Sequence, residues 1–208
     1  VTNSYEFGER LMMSQGEAVN DDIAELLVSQ MPGATSAERS DLKNDRQGVD
    51  WWINRASGFR LGVDVKVREK DFSQGDVALE TWSVVEAGKV GWSRDPKKRT
   101  DYILWWWIDT RRWCLVPFPL LCAVFTRLWE DWCSKYKVAQ QCTPGRRTYH
   151  SECVFVPLRV VWAAIYQQCS GSQILETTGR LDVPAEAEAI IEVVTLGQTA
   201  FNFEGSMP

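Results

Sequence analysis

The run Tyr102-Ile103-Leu104-Trp105-Trp106-Trp107-Ile108 limits the possible folds more than any other stretch of the chain. Successive side chains of a strand point to opposite faces, and here both alternating sets are apolar. Such a strand has no face to turn to water, so it belongs in the middle of a sheet covered on both sides. Asp109-Thr110-Arg111-Arg112 reads as a hairpin turn from it into Trp113-Cys114-Leu115-Val116-Pro117.

The flanking segments supply the cover. From Tyr5 to Met31 the apolar residues Met12, Val19, Ile23, Leu26 and Leu27 recur at helical spacing, and Pro32-Gly33 ends the helix. Polar Thr35 to Gln47 reads as a connection with turn chemistry at Lys43-Asn44-Asp45-Arg46. Asp76 to Glu86 reads as a short helix or an ordered loop, and Asp95-Pro96-Lys97-Lys98-Arg99-Thr100 as a marked loop. Leu121, Val124, Phe125, Leu128, Trp129 and Trp132 give a helix from Pro119 to about Tyr136. Glu152 to Val156 is a further strand, and Pro157 opens a last core helix reaching Gln168. In the tail, Ala185 to Thr195 reads as helix or strand. The order predicts an α/β fold of mixed layers. Residues 1–170 form the main domain, and 171–208 a C-terminal extension packed on it.

Two runs ahead of the central strand carry charge that a plain core strand does not need. Gly48-Val49-Asp50-Trp51-Trp52-Ile53-Asn54 and Phe59-Arg60-Leu61-Gly62-Val63-Asp64-Val65-Lys66-Val67 are joined by a turn-like Asn54-Arg55-Ala56-Ser57-Gly58. Alternation puts Asp64 and Lys66 on one face and Val63, Val65 and Val67 on the other. If the runs pair as a hairpin, Asp50 comes near Asp64. Two acids and a lysine then meet beside an apolar layer. Hydrolysis of a phosphodiester needs a shielded phosphate, an activated water and a stabilised leaving oxygen. Mg²⁺ or Mn²⁺ supplies all three and is held by oxygen ligands. Asp50, Asp64 and the Val65 carbonyl suit that role, and Lys66 suits the attacking water or the phosphate charge. Taken alone, Asp-x-Lys in a strand is also what an ordinary surface ion pair looks like.

Asp50, followed about fourteen residues later by Asp64-Val65-Lys66, resembles the PD-(D/E)xK nuclease superfamily, which includes restriction endonucleases and Holliday-junction resolvases. Val49-Asp50 stands where Pro-Asp would. The resemblance implies a restriction-endonuclease-like mixed central sheet flanked by helices. It also implies metal-dependent nuclease activity with Asp50 and Asp64 as ligands and Lys66 in catalysis, and a possible homodimer. Members often add a glutamate from the first helix; Glu17 is the candidate, with Glu9 its rival. Glu80, in Leu79-Glu80-Thr81-Trp82-Ser83, is a further candidate for a second metal or a substrate group.

Net charge is −5, which speaks against a purely nucleic-acid-binding protein but not against an enzyme with a cation-neutralised acidic centre. Lys97, Lys98 and Arg99 are spaced to hold phosphates, and Trp82 with Ser83, or Trp92, to contact a base. Six cysteines without a Cys-x-x-Cys pair and one histidine, His150, argue against a structural zinc site. Serine-hydrolase and phosphate-loop motifs are absent. With no signal peptide and no long apolar run, a cytoplasmic location away from membranes is expected. The leading expectation is a Mg²⁺-dependent nuclease, with DNA favoured over RNA as substrate. The alternatives are a catalytically silent relative that binds nucleic acid or a partner protein, and a structural or inhibitory protein acting through exposed tryptophans.

Overall fold

The computed structural model describes residues 21–70, 75–143 and 148–169, and the backbone of 175–180 and 192–195. In chain order these form α1 (Asp21–Gln30), β1 (Ala34–Arg39), α2 (Leu42–Asp45), β2 (Trp51–Arg55), β3 (Arg60–Arg68) and β4 (Asp76–Val84). A 3-10 turn, Val85–Ala87, leads to β5 (Lys89–Val90), and a second, Trp92–Arg94, precedes β6 (Tyr102–Trp107) and β7 (Arg112–Pro117). Then come α3 (Phe118–Lys135), β8 (Val138–Thr143), β9 (Tyr149–Pro157), α4 (Leu158–Gln168), β10 (Leu175–Arg180) and β11 (Glu192–Thr195).

The strands form two sheets. The larger runs β1-β2-β3-β6-β7-β10-β11, and the smaller β5-β4-β9-β8. The larger is mixed: β3 and β6 are parallel, and its other pairs are antiparallel. The architecture is therefore α/β with one mixed and one antiparallel sheet. The tryptophan run lies at the centre of the large sheet, and Trp105, Trp106 and Trp107 are each 1% exposed.

Alternation decides which layer each residue joins. Leu104 and Trp106 of β6 point to the same side as Trp51, Ile53, Val63 and Val65, where Ile23, Leu26 and Leu27 of α1 cover them. Ile103, Trp105 and Trp107 point the other way, into a second core with Val77 and Leu79 of β4, Val154 and Val156 of β9, and the apolar faces of α3 and α4. Pro119 sits in the first turn of α3, where its missing N–H leaves no intrahelical bond unmade.

Several segments differ from the sequence-based expectation. Asp76 to Val84 is neither helix nor loop but a nine-residue strand paired with β9. Val77, Leu79 and Thr81 are buried alternately along it, so its period is two. The polar stretch Thr35 to Gln47 contains β1 and α2, the latter capped by Asp41, whose carboxylate accepts from Asn44 N–H at 2.8 Å. β1 is an edge strand with no buried position, so it needs no apolar pattern. β8, another edge strand with mostly exposed residues, carries no such pattern either. The part of the expected first helix before Asp21 lies outside the described residues. In the tail, β10 extends the large sheet by pairing with β7, and β11 pairs with β10. Of the tail segment Ala185 to Thr195, Glu192–Thr195 is a strand and the rest lies outside the described residues.

Candidate active site

The acidic residues meet because β2 and β3 pair in one register. Trp51 lies opposite Val63 and Ile53 opposite Leu61. One residue before β2, Asp50 continues the pairing, its N–H donating to the Val63 carbonyl at 2.8 Å. The Asp50 carboxylate then turns across the strand end and accepts from Val65 N–H at 2.6 Å. That direction puts it beside Asp64, whose charge acts on it. Val63 and Val65 both direct their backbone polar groups toward β2, so the Val65 carbonyl lies on this same edge, just ahead of the first residue of β2.

Lys66 completes the group. Its Nζ donates to Asp64 Oδ1 at 2.7 Å and lies 4.9 Å from the centre of the Trp92 ring. The Asp64 side chain is only 7% exposed and that of Lys66 is 32% exposed, so the lysine forms the open side of the pair. Trp92 is held from behind by Trp105 and Phe118, at 6.5 and 6.4 Å between ring centres.

Glu80 reaches the same place from the other sheet. Its Oε2 accepts from the backbone N–H of Trp92 at 2.9 Å, and its charge acts on Lys66. This contact depends on Gly91. A Cβ there would lie 2.1 Å from the Glu80 carbonyl oxygen, so only glycine lets the turn bearing Trp92 rest on β4. A second glycine does the same for the basic loop. A Cβ at Gly62 would lie 2.8 Å from the Arg99 carbonyl oxygen and 2.9 Å from Val49 Cγ2. The loop is held there by Asp101, whose N–H donates to the Gly62 carbonyl at 2.8 Å and whose carboxylate accepts from Gly62 N–H at 2.7 Å. Thr100 Oγ1 also donates to the Gly48 carbonyl.

The electrostatics follow from this crowding. Burial, and then the charge of Asp64, raise the Asp50 pKa from the ordinary 3.8 to about 7, against the opposing pull of Lys66 and the Val65 N–H. Burial works to lower the Lys66 pKa, but Asp64 and Asp50 outweigh it and hold the pKa above the usual lysine value. Burial raises Glu80, opposed by the Trp92 N–H and by Lys66, Lys98 and Lys89.

Thus Asp50, Asp64, Lys66, Glu80 and the Val65 backbone come together. Glu17 and its rival Glu9 lie outside the described residues. Lys98 adjoins the group through Gly48 and Glu80. Lys97 is exposed, its N–H bound to Asp95 Oδ1 at 3.0 Å. Arg99 donates to Asn44 Oδ1 at 3.0 Å and to Gln47 Oε1 at 3.4 Å. Trp82 and Ser83 serve internal contacts. Trp82 packs edge-on against Trp129 with Arg94 beside both rings, and Ser83 Oγ donates to the Val90 carbonyl at 3.1 Å. His150 is remote in role, tied to Glu86 through Nδ1 at 2.5 Å. Sequence reasoning missed the seat that Trp92 gives Lys66, and no sequence pattern signals it. It also missed Trp52, which shares the parity of Asp50 on β2 and so could have been placed on the site face.

The donor set suits a hard divalent cation. Two adjoining carboxyls, one of them holding a proton to about neutral pH, are a pair that lacks positive charge. Among the described residues no group of three or more Asp, Glu, His or Cys side chains forms a metal cage. Two carboxylates with a backbone carbonyl still match the way Mg²⁺ is commonly held, with water and substrate phosphate completing its shell.

The chain matches no known protein family, no curated protein and no solved structure. The functional reading therefore rests on this geometry.

Proposed function

We propose that the chain is a metal-dependent nuclease that hydrolyses phosphodiester bonds, with DNA as the favoured substrate. The observation that carries this reading is the half-buried carboxyl of Asp50 set against the buried carboxyl of Asp64 beside Lys66. An ion pair alone accounts for Asp64 with Lys66, but it leaves Asp50 with no reason to be acidic. Burying a second carboxyl costs stability unless a cation compensates it, and rules of core design are broken mainly where function requires it.

In this reading Asp50, Asp64 and the Val65 carbonyl hold Mg²⁺ or Mn²⁺. The ion, when bound, supplies charge neutralisation for the phosphate and an activated water. Lys66, on the open side, sets its ammonium where negative charge grows on the phosphate. Trp92 and Asp64 restrict the lysine to that position, and Glu80 adds to the field that keeps it protonated. The restriction-endonuclease-like assignment of the fold belongs to the same proposal. It is supported by the order of elements and by an acidic hairpin whose second strand lies parallel to a buried central strand.

The test is a cleavage assay on supercoiled plasmid, linear duplex, single-stranded and branched DNA, with RNA alongside. Mg²⁺ or Mn²⁺ should support cleavage and EDTA should abolish it. Asp64→Ala and Lys66→Ala should each remove activity while leaving the circular dichroism of the folded chain. Cleavage surviving in both variants rules this site out.

A further inference from the structure

We infer that Trp52, with Arg60 and Arg99 against it, is a platform for an unpaired base of a single-stranded nucleic acid, leading the strand to the Asp50–Asp64 pair. Trp52 lies two residues beyond Asp50 on β2, on the same face, at a spacing of about 7 Å. Its neighbours Trp51 and Ile53 are buried on the opposite face beneath α1. Trp52 is half-buried and belongs to neither apolar core. What touches its ring is charged: the Arg60 guanidinium at 5.1 Å and the Arg99 guanidinium at 5.4 Å from the ring centre.

Each arginine is held in place differently. Arg60 is bound to Glu38 at 2.9 Å. The acceptors of Arg99 are the side-chain amide oxygens of Asn44 and Gln47, which orient the guanidinium without cancelling its charge. Its backbone is seated on Gly62, between Arg60 and Asp64 along β3. A phosphate approaching the acidic pair along this face therefore meets a fixed, uncompensated cation next to an aromatic ring.

The single strand is the occupant that this chemistry fits. Bases stack on tryptophan rings and guanidinium planes only when they are free of their own helix. A duplex would offer mainly phosphates. The basic surface is short and the net charge is −5, so few phosphate contacts are available to hold one.

The inference rests on the nuclease reading for the direction of the strand, but it is tested without cleavage. Fluorescence anisotropy of a fluorescein-labelled single-stranded deoxyoligonucleotide, and of the same sequence as a duplex, is measured with the full chain in EDTA over a range of salt. The wild type should bind the single strand more tightly than the duplex. Trp52→Ala should weaken single-strand binding by about tenfold and duplex binding much less. Trp52→Phe, which keeps an aromatic ring, should retain most of the affinity and guards against a folding artefact. Arg99→Ala should lower the salt slope of single-strand binding by about one contact. Absence of single-strand binding by the wild type overturns the inference. So does unchanged single-strand affinity in Trp52→Ala, or an equal loss on both substrates. Binding with this pattern in a chain that cleaves nothing would sink the nuclease reading and leave the platform standing. Cleavage without it would do the reverse.

Discussion

Replacing Asp50 by asparagine tests the acidic pair without any substrate. The asparagine keeps an oxygen for the Val65 N–H and has an amide to set beside Asp64, so the hydrogen bond of the wild-type site has its counterpart. Only the charge is lost. In the folded chain Asp50 is raised from 3.8 to about 7, by burial first and by Asp64 second. An acid with a raised folded pKa binds its proton more tightly in the folded state than in the unfolded one. Stability from this group is fully present below about pH 4 and is lost as pH climbs to about 7. A shift of about 3 units corresponds to a loss of about 4 kcal/mol, an upper bound because the site is partly open and relaxes. Asp50→Asn escapes this loss. In EDTA at pH 8 it should melt clearly above the wild type, by less than that bound would give, and the two should converge as the pH falls toward about 4. Mg²⁺ at pH 8 should raise the melting temperature of the wild type more than that of the variant, because binding to the folded state alone stabilises it. Thermal unfolding followed by circular dichroism at pH 4, 5, 6, 7 and 8 measures all of this. Equal pH dependence in the two proteins, or a variant less stable at pH 8, would refute the claim that Asp50 is a strained, uncompensated acid.

Gly91→Ala places a methyl 2.1 Å from the Glu80 carbonyl oxygen and should destabilise the fold by about 3 kcal/mol or more, read from the urea midpoint. Gly62→Ala meets the Arg99 carbonyl and Val49 at 2.8–2.9 Å; it should cost about 1–3 kcal/mol, and its loss of cleavage should exceed its loss of stability because the basic loop is lifted. Glu80→Gln removes one of the charges that hold up the Lys66 pKa, so the alkaline limb of the cleavage profile should move to lower pH. Trp107→Ala empties the centre of the second core and should cost about 3–5 kcal/mol, again read by urea unfolding.

The parts of the fold that sequence reveals are those where burial leaves a period. The tryptophan run had to be central because both of its faces are apolar, and it lies between β3 and β7 with its alternate residues in two different cores. The meeting of Asp50 with Asp64 was also legible, because alternation and a hairpin pairing suffice to derive it. β4 hides its nature in the sequence although Val77 and Leu79 are buried alternately along it. Ala78, Glu80 and Ser83 suit a helix or loop equally well, and pairing with β9 decides between them. β1 and β8 are edge strands whose residues are mostly exposed, so their pairing comes from neighbouring strands rather than from their own composition. The position of Trp92 against Lys66 was not legible at all. It depends on a turn resting on β4 through Gly91, a contact between segments that no local period encodes.

On the proposed nuclease function, the charge balance of the site accounts for how an acidic chain could act on a polyanion. Asp50 and Asp64 together face one ammonium group, that of Lys66, so the fully ionised trio carries one net negative charge. A phosphodiester entering that field is repelled. Near neutral pH the Asp50 proton brings the trio close to zero, which removes the repulsion but offers no attraction. In the proposed function, a divalent cation in place of that proton would turn the balance positive at the site. Attraction is then confined to the site and to the short row formed by Arg99, Arg60 and Lys98. On this account cation binding should release a proton below about pH 7, and should do so in the wild type but not in Asp50→Asn. Titration calorimetry of Mg²⁺ binding in buffers of different ionisation enthalpy counts that proton directly. An identical proton count in both proteins would mean that the cation and the Asp50 proton do not compete for the same place.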